Sequence, residues 1–356
     1  MRRLDVFARV ALLLAGCAFI FTACGGGNTS SSNNTNTGAS KASVALVTDK
    51  GGLNDQSFNH LAFQGYTKAM NEFGFTKQVI ESKNESDYIK NLTTAAQGAD
   101  LVFAVGFLMQ QAVYEVATQF PDKKFAIIDG CAVPAGKSEC ATLPNVAPLY
   151  FSEQEAGCLV GAIAAQMELD GKSKIPELRG KNTIGVVAGE SIPPVNRYIA
   201  GYKYCAKQVN EKINVLVTYT QDFQATAKCK DAALSMINQH QADIIFQDAG
   251  GCGVGALDAA EQEGVFSIGV DADQSQVNKS VITSAVKRVD TSVYATVKDF
   301  VNGKFSNNPP LFDLAHDGVG YAPVSDKVPA DAKAKADELA KKIKDGSLKV
   351  PSEIPA

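Results

Sequence analysis

The chain has 356 residues, 45% of them hydrophobic, with 34 Lys and Arg against 38 Asp and Glu. A net charge of −4 gives no electrostatic basis for gripping a nucleic-acid backbone, which takes a concentrated basic face. Behind its N-terminal segment the chain is long enough for two α/β lobes of ordinary size.

Arg2, Arg3 and Arg9 precede an uncharged apolar run over residues 10–23, the layout of an export signal. That run falls short of the ~20 residues of a comfortable transmembrane helix. Leu14-Ala15-Gly16-Cys17 fits a bacterial lipoprotein cleavage box best by residue type, and Phe21-Thr22-Ala23-Cys24 fits it less well at its first position. Cys24 is preferred, because cleavage at Cys17 would stunt the apolar core and leave Ala18-Phe19-Ile20-Phe21 at the mature terminus. On this reading residues 1–23 are a signal peptide and Cys24 carries a lipid. Gly25-Gly26-Gly27 and the Ser/Thr/Asn tract that follows then make residues 24–41 a flexible tether. The expected location is the extracytoplasmic face of the cell membrane.

Residues 43–47 are apolar and read as a buried strand. Thr48-Asp49-Lys50-Gly51-Gly52 follows, then Asn54, Asp55 and Ser57 as candidate helix N-caps. Phe58, Leu61, Ala62, Tyr66, Ala69 and Phe73 then recur at helical spacing. The loop therefore sits at the carboxyl end of a strand, where open parallel sheets bind small ligands. It presents Asp49 and Asn59 as hydrogen-bonding groups and Phe58 as a flat apolar face. The plainer alternative is a loop whose Asp and Asn only cap the helix. Further strands are expected at residues 101–105 and 125–128, with helices at 87–97 and 109–119. A second series has strands at 183–187, 215–219, 243–246 and 266–270, and helices at 194–209, 226–239 and 255–263. A small-residue helix at 153–167 and a polar stretch at 170–181 separate the two series. Such alternation implies parallel sheets joined by right-handed crossovers. A strand at 281–286 and a helix at 291–302 return the chain to the first lobe. The expected division is residues 42–150 with 287–310 in one lobe, and 151–286 with 311–356 in the other. The Lys-rich tail, residues 327–349, is interleaved with acids and reads as an amphipathic surface helix.

The strands end in Asp49, Gly106, Asp129-Gly130, Gly189-Glu190, Gln221-Asp222, Gln247-Asp248-Ala249-Gly250-Gly251 and Asp271-Ala272-Asp273. Facing one cleft, these would form a site rich in acceptors. It would suit a neutral hydroxylated ligand such as a sugar or nucleoside and repel an anion.

Several ordered motifs carry a more specific resemblance. They are Thr48-Asp49-Lys50-Gly51-Gly52 with Asp55-Gln56-Ser57-Phe58-Asn59, Ile127-Ile128-Asp129-Gly130, and Glu155-Ala156-Gly157-Cys158-Leu159-Val160-Gly161. The series continues through Ile245-Phe246-Gln247-Asp248-Ala249-Gly250-Gly251 and Ile268-Gly269-Val270-Asp271-Ala272-Asp273-Gln274 to Thr283-Ser284-Ala285-Val286-Lys287-Arg288-Val289-Asp290. Together they resemble the basic membrane protein family, purine-nucleoside-binding lipoproteins of ABC transport systems, over nearly all of residues 42–317. The resemblance implies a two-lobed α/β type I periplasmic-binding-protein fold, each lobe a parallel sheet flanked by helices. It also implies a ligand held between the lobes, ABC permease subunits as partners, a monomer, and no cofactor. It assigns Asp49 and Asn59 to polar ligand contacts, Phe58 to a stack on the purine and Asp129 to reading the base. Phe246 would supply the opposite ring, Gly251 a close backbone approach, and Asp271 and Lys287 the ribose contacts. From the residues alone, Phe246 can also be a core strand residue with Phe223 as the second ring, and Lys287 a surface lysine beside Asp290.

Six cysteines outside the leader, Cys131, Cys140, Cys158, Cys205, Cys229 and Cys252, permit disulfides in an exported protein. Cys131 and Cys140 flank a loop they could close. Cys205 and Cys229 fall on successive helices, and Cys158 and Cys252 read as small buried thiols. No C-x-x-C and no histidine at ligand spacing point to zinc. Gly251-Cys252-Gly253-Val254-Gly255-Ala256 fits G-x-G-x-x-A after a strand, a partial dinucleotide fingerprint. No G-x-S-x-G or H-E-x-x-H occurs. The expectation is therefore a binding protein and not an enzyme. Its alternatives are a sugar or autoinducer-type binding lipoprotein, an exported NAD-linked enzyme, and a surface adhesin or signalling lipoprotein with a vestigial cleft.

Overall fold

A computed structural model describes residues 42–354; the expected signal peptide, Cys24 and the tether lie outside the described residues. In chain order the first half runs β1 (Ser43–Thr48), α1 (Phe58–Phe73), β2 (Thr76–Glu81), α2 (Tyr88–Gly98), β3 (Leu101–Val105), α3 (Gln110–Gln119), β4 (Lys124–Ile128) and β5 (Val146–Leu149). These strands form one sheet in the order β2-β1-β3-β4-β5, parallel throughout. Then come α4 (Glu153–Asp170), β6 (Thr183–Ala188), α5 (Pro193–Val209), β7 (Asn214–Tyr219), α6 (Thr226–His240), β8 (Ile244–Asp248), α7 (Gly253–Glu263), β9 (Phe266–Asp271) and β10 (Val281–Lys287). After α8 (Val289–Val301), β11 (Val319–Tyr321) and α9 (Ala330–Lys344) close the chain. The second sheet has the order β11-β10-β9-β8-β6-β7, and within it only the β10–β11 pair is antiparallel. Two helix-flanked, parallel-dominated sheets of this kind are the type I periplasmic-binding-protein fold expected from the sequence.

The central strands are buried on both faces, as parallel strands covered by helices must be; every residue of β3, β6, β8 and β9 is buried. Helix α8 returns to pack on α1, so closely that a Cβ on Gly65 would sit 2.2 Å from the Asp290 carbonyl oxygen. Helix α9 lays Ala332, Ala336 and Leu339 against the second lobe, where it packs on α4. The chain crosses between the sheets after β5, after β10 and before β11. Two of these crossings lie side by side: Phe312 donates its N–H to the Tyr150 carbonyl and accepts from the Ser152 N–H.

Helices α4 and α5 meet through glycines. A Cβ on Gly157, Gly161 or Gly201 would lie 1.8–2.4 Å from a carbonyl of the facing helix, so only glycine permits this approach. The close backbones also allow a Cys158–Cys205 disulfide with Cα atoms 4.9 Å apart. Cys229 pairs with Cys252, Cα–Cα 5.6 Å. The reading of Cys158 and Cys252 as buried thiols is thereby corrected. Cys131 pairs with Cys140 and closes its loop.

Candidate functional site

The carboxyl ends of both sheets face a shared cleft, part of it open to solvent. The first lobe contributes Asp49, Asp55, Phe58, Asn59, Phe107 and Asp129. The second contributes Tyr198, Phe223, Asp248, Gly251 and Asp271, and Lys287 enters from the end of β10.

The first loop is organised by carboxylates. Asp55 Oδ1 accepts from the Ser57 and His60 N–H groups, and Oδ2 from the Asn59 N–H. Asp55 thus satisfies the otherwise unpaired amides that open α1. This leaves the Ser57 hydroxyl free to donate across the cleft to Asp271 Oδ2 at 2.8 Å and the Val270 carbonyl at 3.1 Å. Asn59 Nδ2 donates to both Asp49 Oδ1 and Asp55 Oδ2, leaving its buried Oδ1 without a partner. Burial pushes Asp49 up to about 6, even though its bonds from Asn59 and Gly51 favour the charged form. Gly106 approaches Asp49 so closely that a Cβ there would lie 2.7 Å from Oδ2.

Asp129 and Asp271 end β4 and β9 with φ of 68° and 61°, the left-handed region that non-glycine residues enter at a cost. Both turn carboxyls into the cleft. Lys287 Nζ donates to Asp129 Oδ2 at 2.5 Å and lies 3.2 Å from Glu153 Oε1, with all three side chains at most 5% exposed. Arg197 Nε holds the other Glu153 oxygen at 2.6 Å. The ammonium also lies 4.9 Å from the Phe58 ring centroid and 5.1 Å from that of Phe151, a favourable cation–π placement. Burial raises the pKa of Asp129, with Lys287 opposing. Burial works against the Lys287 charge, but Asp129, Glu153 and Asp271 outweigh it and hold that pKa above its ordinary value. Burial likewise raises Asp55, Asp248 and Asp271.

The cleft thus gathers Asp49, Phe58, Asn59, Asp129, Gly251, Asp271 and Lys287, and it does not gather Phe246. That ring is fully buried in β8, stacked on Tyr202 with centroids 5.2 Å apart. It points the same way as Asp248 but two residues lower on the strand, ~6–7 Å deeper. Phe223 instead reaches the cleft, packed over Gly189, where a Cβ would clash with its ring at 2.2 Å. Lys287 is not the surface partner of Asp290, which is bound by Arg288. Tyr198, which donates to Asp271 Oδ1 at 3.2 Å, has no sequence signal beyond its place on an amphipathic helix. Asp248 shows in the sequence only as one of several acidic strand ends. The glycines of the dinucleotide-like motif serve packing: a Cβ on Gly253 would meet Gln247 Oε1 at 1.7 Å, and one on Gly255 the Thr226 carbonyl at 1.9 Å.

The Bmp family model, described as PnrA-like ABC transporter substrate-binding proteins, matches residues 42–353. The chain belongs to this family. Bmp proteins are solute-binding components of ABC transporters, working with permease subunits, and are not enzymes. The chain is similar to the ABC transporter nucleoside-binding protein BmpA of Lactococcus lactis, 31% identical over 336 residues that cover 87% of this chain and 89% of that one. It is 34% identical to an uncharacterised lipoprotein of Pyrococcus abyssi over 334 residues, covering 90% and 77%. An ABC-transporter solute-binding protein from Aeropyrum pernix superposes with a TM-score of 0.78 at 28% identity, over 87% of this chain and 94% of that one.

Proposed function

We propose that this Bmp protein is a lipid-anchored, extracytoplasmic receptor that captures purine nucleosides and delivers them to an ABC importer. The observation that carries the reading is the pairing of surfaces in one cleft. Phe58 and Phe223 bring apolar ring faces from opposite lobes, beside a wall of carboxyl groups and one ammonium. A purine nucleoside offers the complement, a flat heterocycle for stacking, at ~1–3 kcal/mol per ring, and a ribose whose hydroxyls bond to carboxyls. An anionic nucleotide would meet buried carboxyls and be repelled. Asp49, Asn59 and Asp129, around the Phe58 face, are the groups we assign to the base, and Asp271 and Lys287 to the ribose, with Gly251 allowing close approach. The lipoprotein and nucleoside-binding names of relatives support the same reading.

Isothermal titration calorimetry with adenosine, guanosine, inosine, uridine, the free purines and a set of hexoses tests it. Purine nucleosides should bind more tightly than uridine or any hexose. Binding of a hexose without any purine nucleoside would replace the proposal with a sugar receptor.

A further inference from the structure

Asp248 closes β8, 4% exposed, and lines the cleft. Its Oδ2 is buried without a hydrogen-bond partner among the described residues. Every other lining carboxyl has at least one hydrogen-bond partner, although Asp129 Oδ1 is likewise buried without one. Asp49 and Asp55 receive N–H groups of the first loop, and Asp129 has Lys287 on one oxygen. Asp271, on the neighbouring strand, has Ser57 on one oxygen and Tyr198 on the other. Buried polar atoms are almost always paired, so an unpaired one on a residue that lines a binding cleft needs an explanation.

A hydroxyl is the group that fits. Burial and the nearby Asp271 raise the Asp248 pKa. A base N–H can only donate to the carboxyl, and a ring nitrogen or carbonyl can only accept from its acid form. A hydroxyl donates and accepts, and so serves both. The strand carrying Asp271 is hydrogen-bonded beside β8 with Phe246 opposite Ile268; carried on, that register sets Asp248 opposite Val270, so a second carboxyl, Asp271, lies one residue further along the neighbouring strand. A ribose presents two adjacent hydroxyls to such a pair.

We propose that Asp248 is the specificity-determining residue for the sugar: its Oδ2 takes a ribose hydroxyl beside Asp271, so the cleft selects ribonucleosides over the deoxynucleoside lacking that hydroxyl. The assignment rests on the nucleoside reading above. A deoxy analogue would leave the carboxyl buried and unpaired, the situation in which binding sites discriminate most strongly.

The test measures dissociation constants of the wild type, Asp248→Ala and Asp248→Asn. The ligands are a purine ribonucleoside, its 2′-deoxy and 3′-deoxy analogues and its free base. The wild type should prefer the ribonucleoside to one deoxy analogue by about 10–100-fold, the value of a hydrogen bond to a charged group. In Asp248→Ala that preference should collapse to within about threefold, with the free base bound as by the wild type. Thermal melting without ligand adds a second readout. Removing an unpaired buried carboxyl should leave the melting temperature of both variants unchanged or higher. The proposal is overturned if the wild type does not discriminate, if the preference survives both substitutions, or if all four ligands weaken by one factor. It is also overturned if both variants melt markedly lower, which would assign Asp248 a structural role. A wild type that binds no nucleoside at all overturns the nucleoside reading first, and this assignment with it.

Discussion

Replacing Lys287 with Met keeps the length and bulk of the side chain and removes one buried charge. The structure sets the cost. Two carboxyls, Asp129 and Glu153, share the ammonium at 2.5 and 3.2 Å, but Glu153 keeps Arg197 at 2.6 Å. Only Asp129 is stranded, and its Oδ1 already lacks a partner. Breaking a buried pair costs ~3–5 kcal/mol, and with one group stranded the lower value applies. At about 2 °C per kcal/mol for a chain of this size, the melting temperature should fall by about 6 °C. The loss should also depend on pH. Asp129 has a folded-state pKa above its unfolded value of 3.8. It therefore binds more proton when folded, and the stability it contributes is lost as pH rises through the folded pKa. Lys287 holds that pKa down, so the substitution moves the window upward. Calorimetric melting should show a small loss at pH 5.5, where Asp129 can take a proton, and the full loss at pH 8.5. Adding Asp129→Asn should restore much of it at pH 8.5. Equal melting of Lys287→Met and wild type at pH 8.5, or a loss that neither depends on pH nor responds to Asp129→Asn, would refute the reasoning.

Phe223→Ala should weaken nucleoside binding by ~1–3 kcal/mol with little change in melting, whereas Phe246→Ala should cost ~3–5 kcal/mol of stability and leave the affinity of the folded fraction unchanged; calorimetry and denaturant titration separate the two. Replacing Cys158 and Cys205 together by Ala should cost ~2–4 kcal/mol by the chain-entropy argument, read as a shifted denaturation midpoint, and an unshifted midpoint would mean that the glycine-mediated contact of α4 and α5 alone holds that crossing. Cys24→Ser should move the protein from the membrane to the soluble fraction, and release by Cys17→Ser instead would shift the anchor to the earlier cysteine.

The interior strands were legible because burial on both faces demands an unbroken apolar run, as in Leu101-Val102-Phe103-Ala104-Val105. The strands that sequence reasoning passes over, β2, β5 and β11, each lie at the edge of a sheet. With a partner on one side only, β2 can carry Thr76, Lys77, Gln78 and Glu81, and β5 can carry Pro148, which a central strand would exclude. The loop from Asp49 to Asn59 was legible because its chemistry is concentrated in one turn. Phe246 misled because alternation along a strand tells which face a side chain joins but not how far below the cleft it lies. Arg197 and Tyr198 carried no signal, since a helix residue reaches a site only through tertiary packing. Disulfide connectivity is likewise set by which backbones approach, and the glycine contact of α4 with α5 brings Cys158 to Cys205.

Lys287 sits at the end of β10, where the chain passes from one lobe to the other, and it joins Asp129 of the first lobe to Glu153 at the start of α4. A relative rotation of the lobes displaces each contact in proportion to its distance from the axis. Contacts at the crossings have almost no lever arm, so this charge cluster keeps its partners through any such swing. The far rim has a long one. Away from the crossings, Lys50 bridges to Glu190 at 2.6 Å, the buried Gln274 Nε2 reaches the Gln56 carbonyl at 3.1 Å, and the buried Ser57 hydroxyl reaches Asp271 Oδ2 at 2.8 Å. The work of opening therefore falls on one ion pair and a few hydrogen bonds, while the Lys287 charge cluster rides on the pivot.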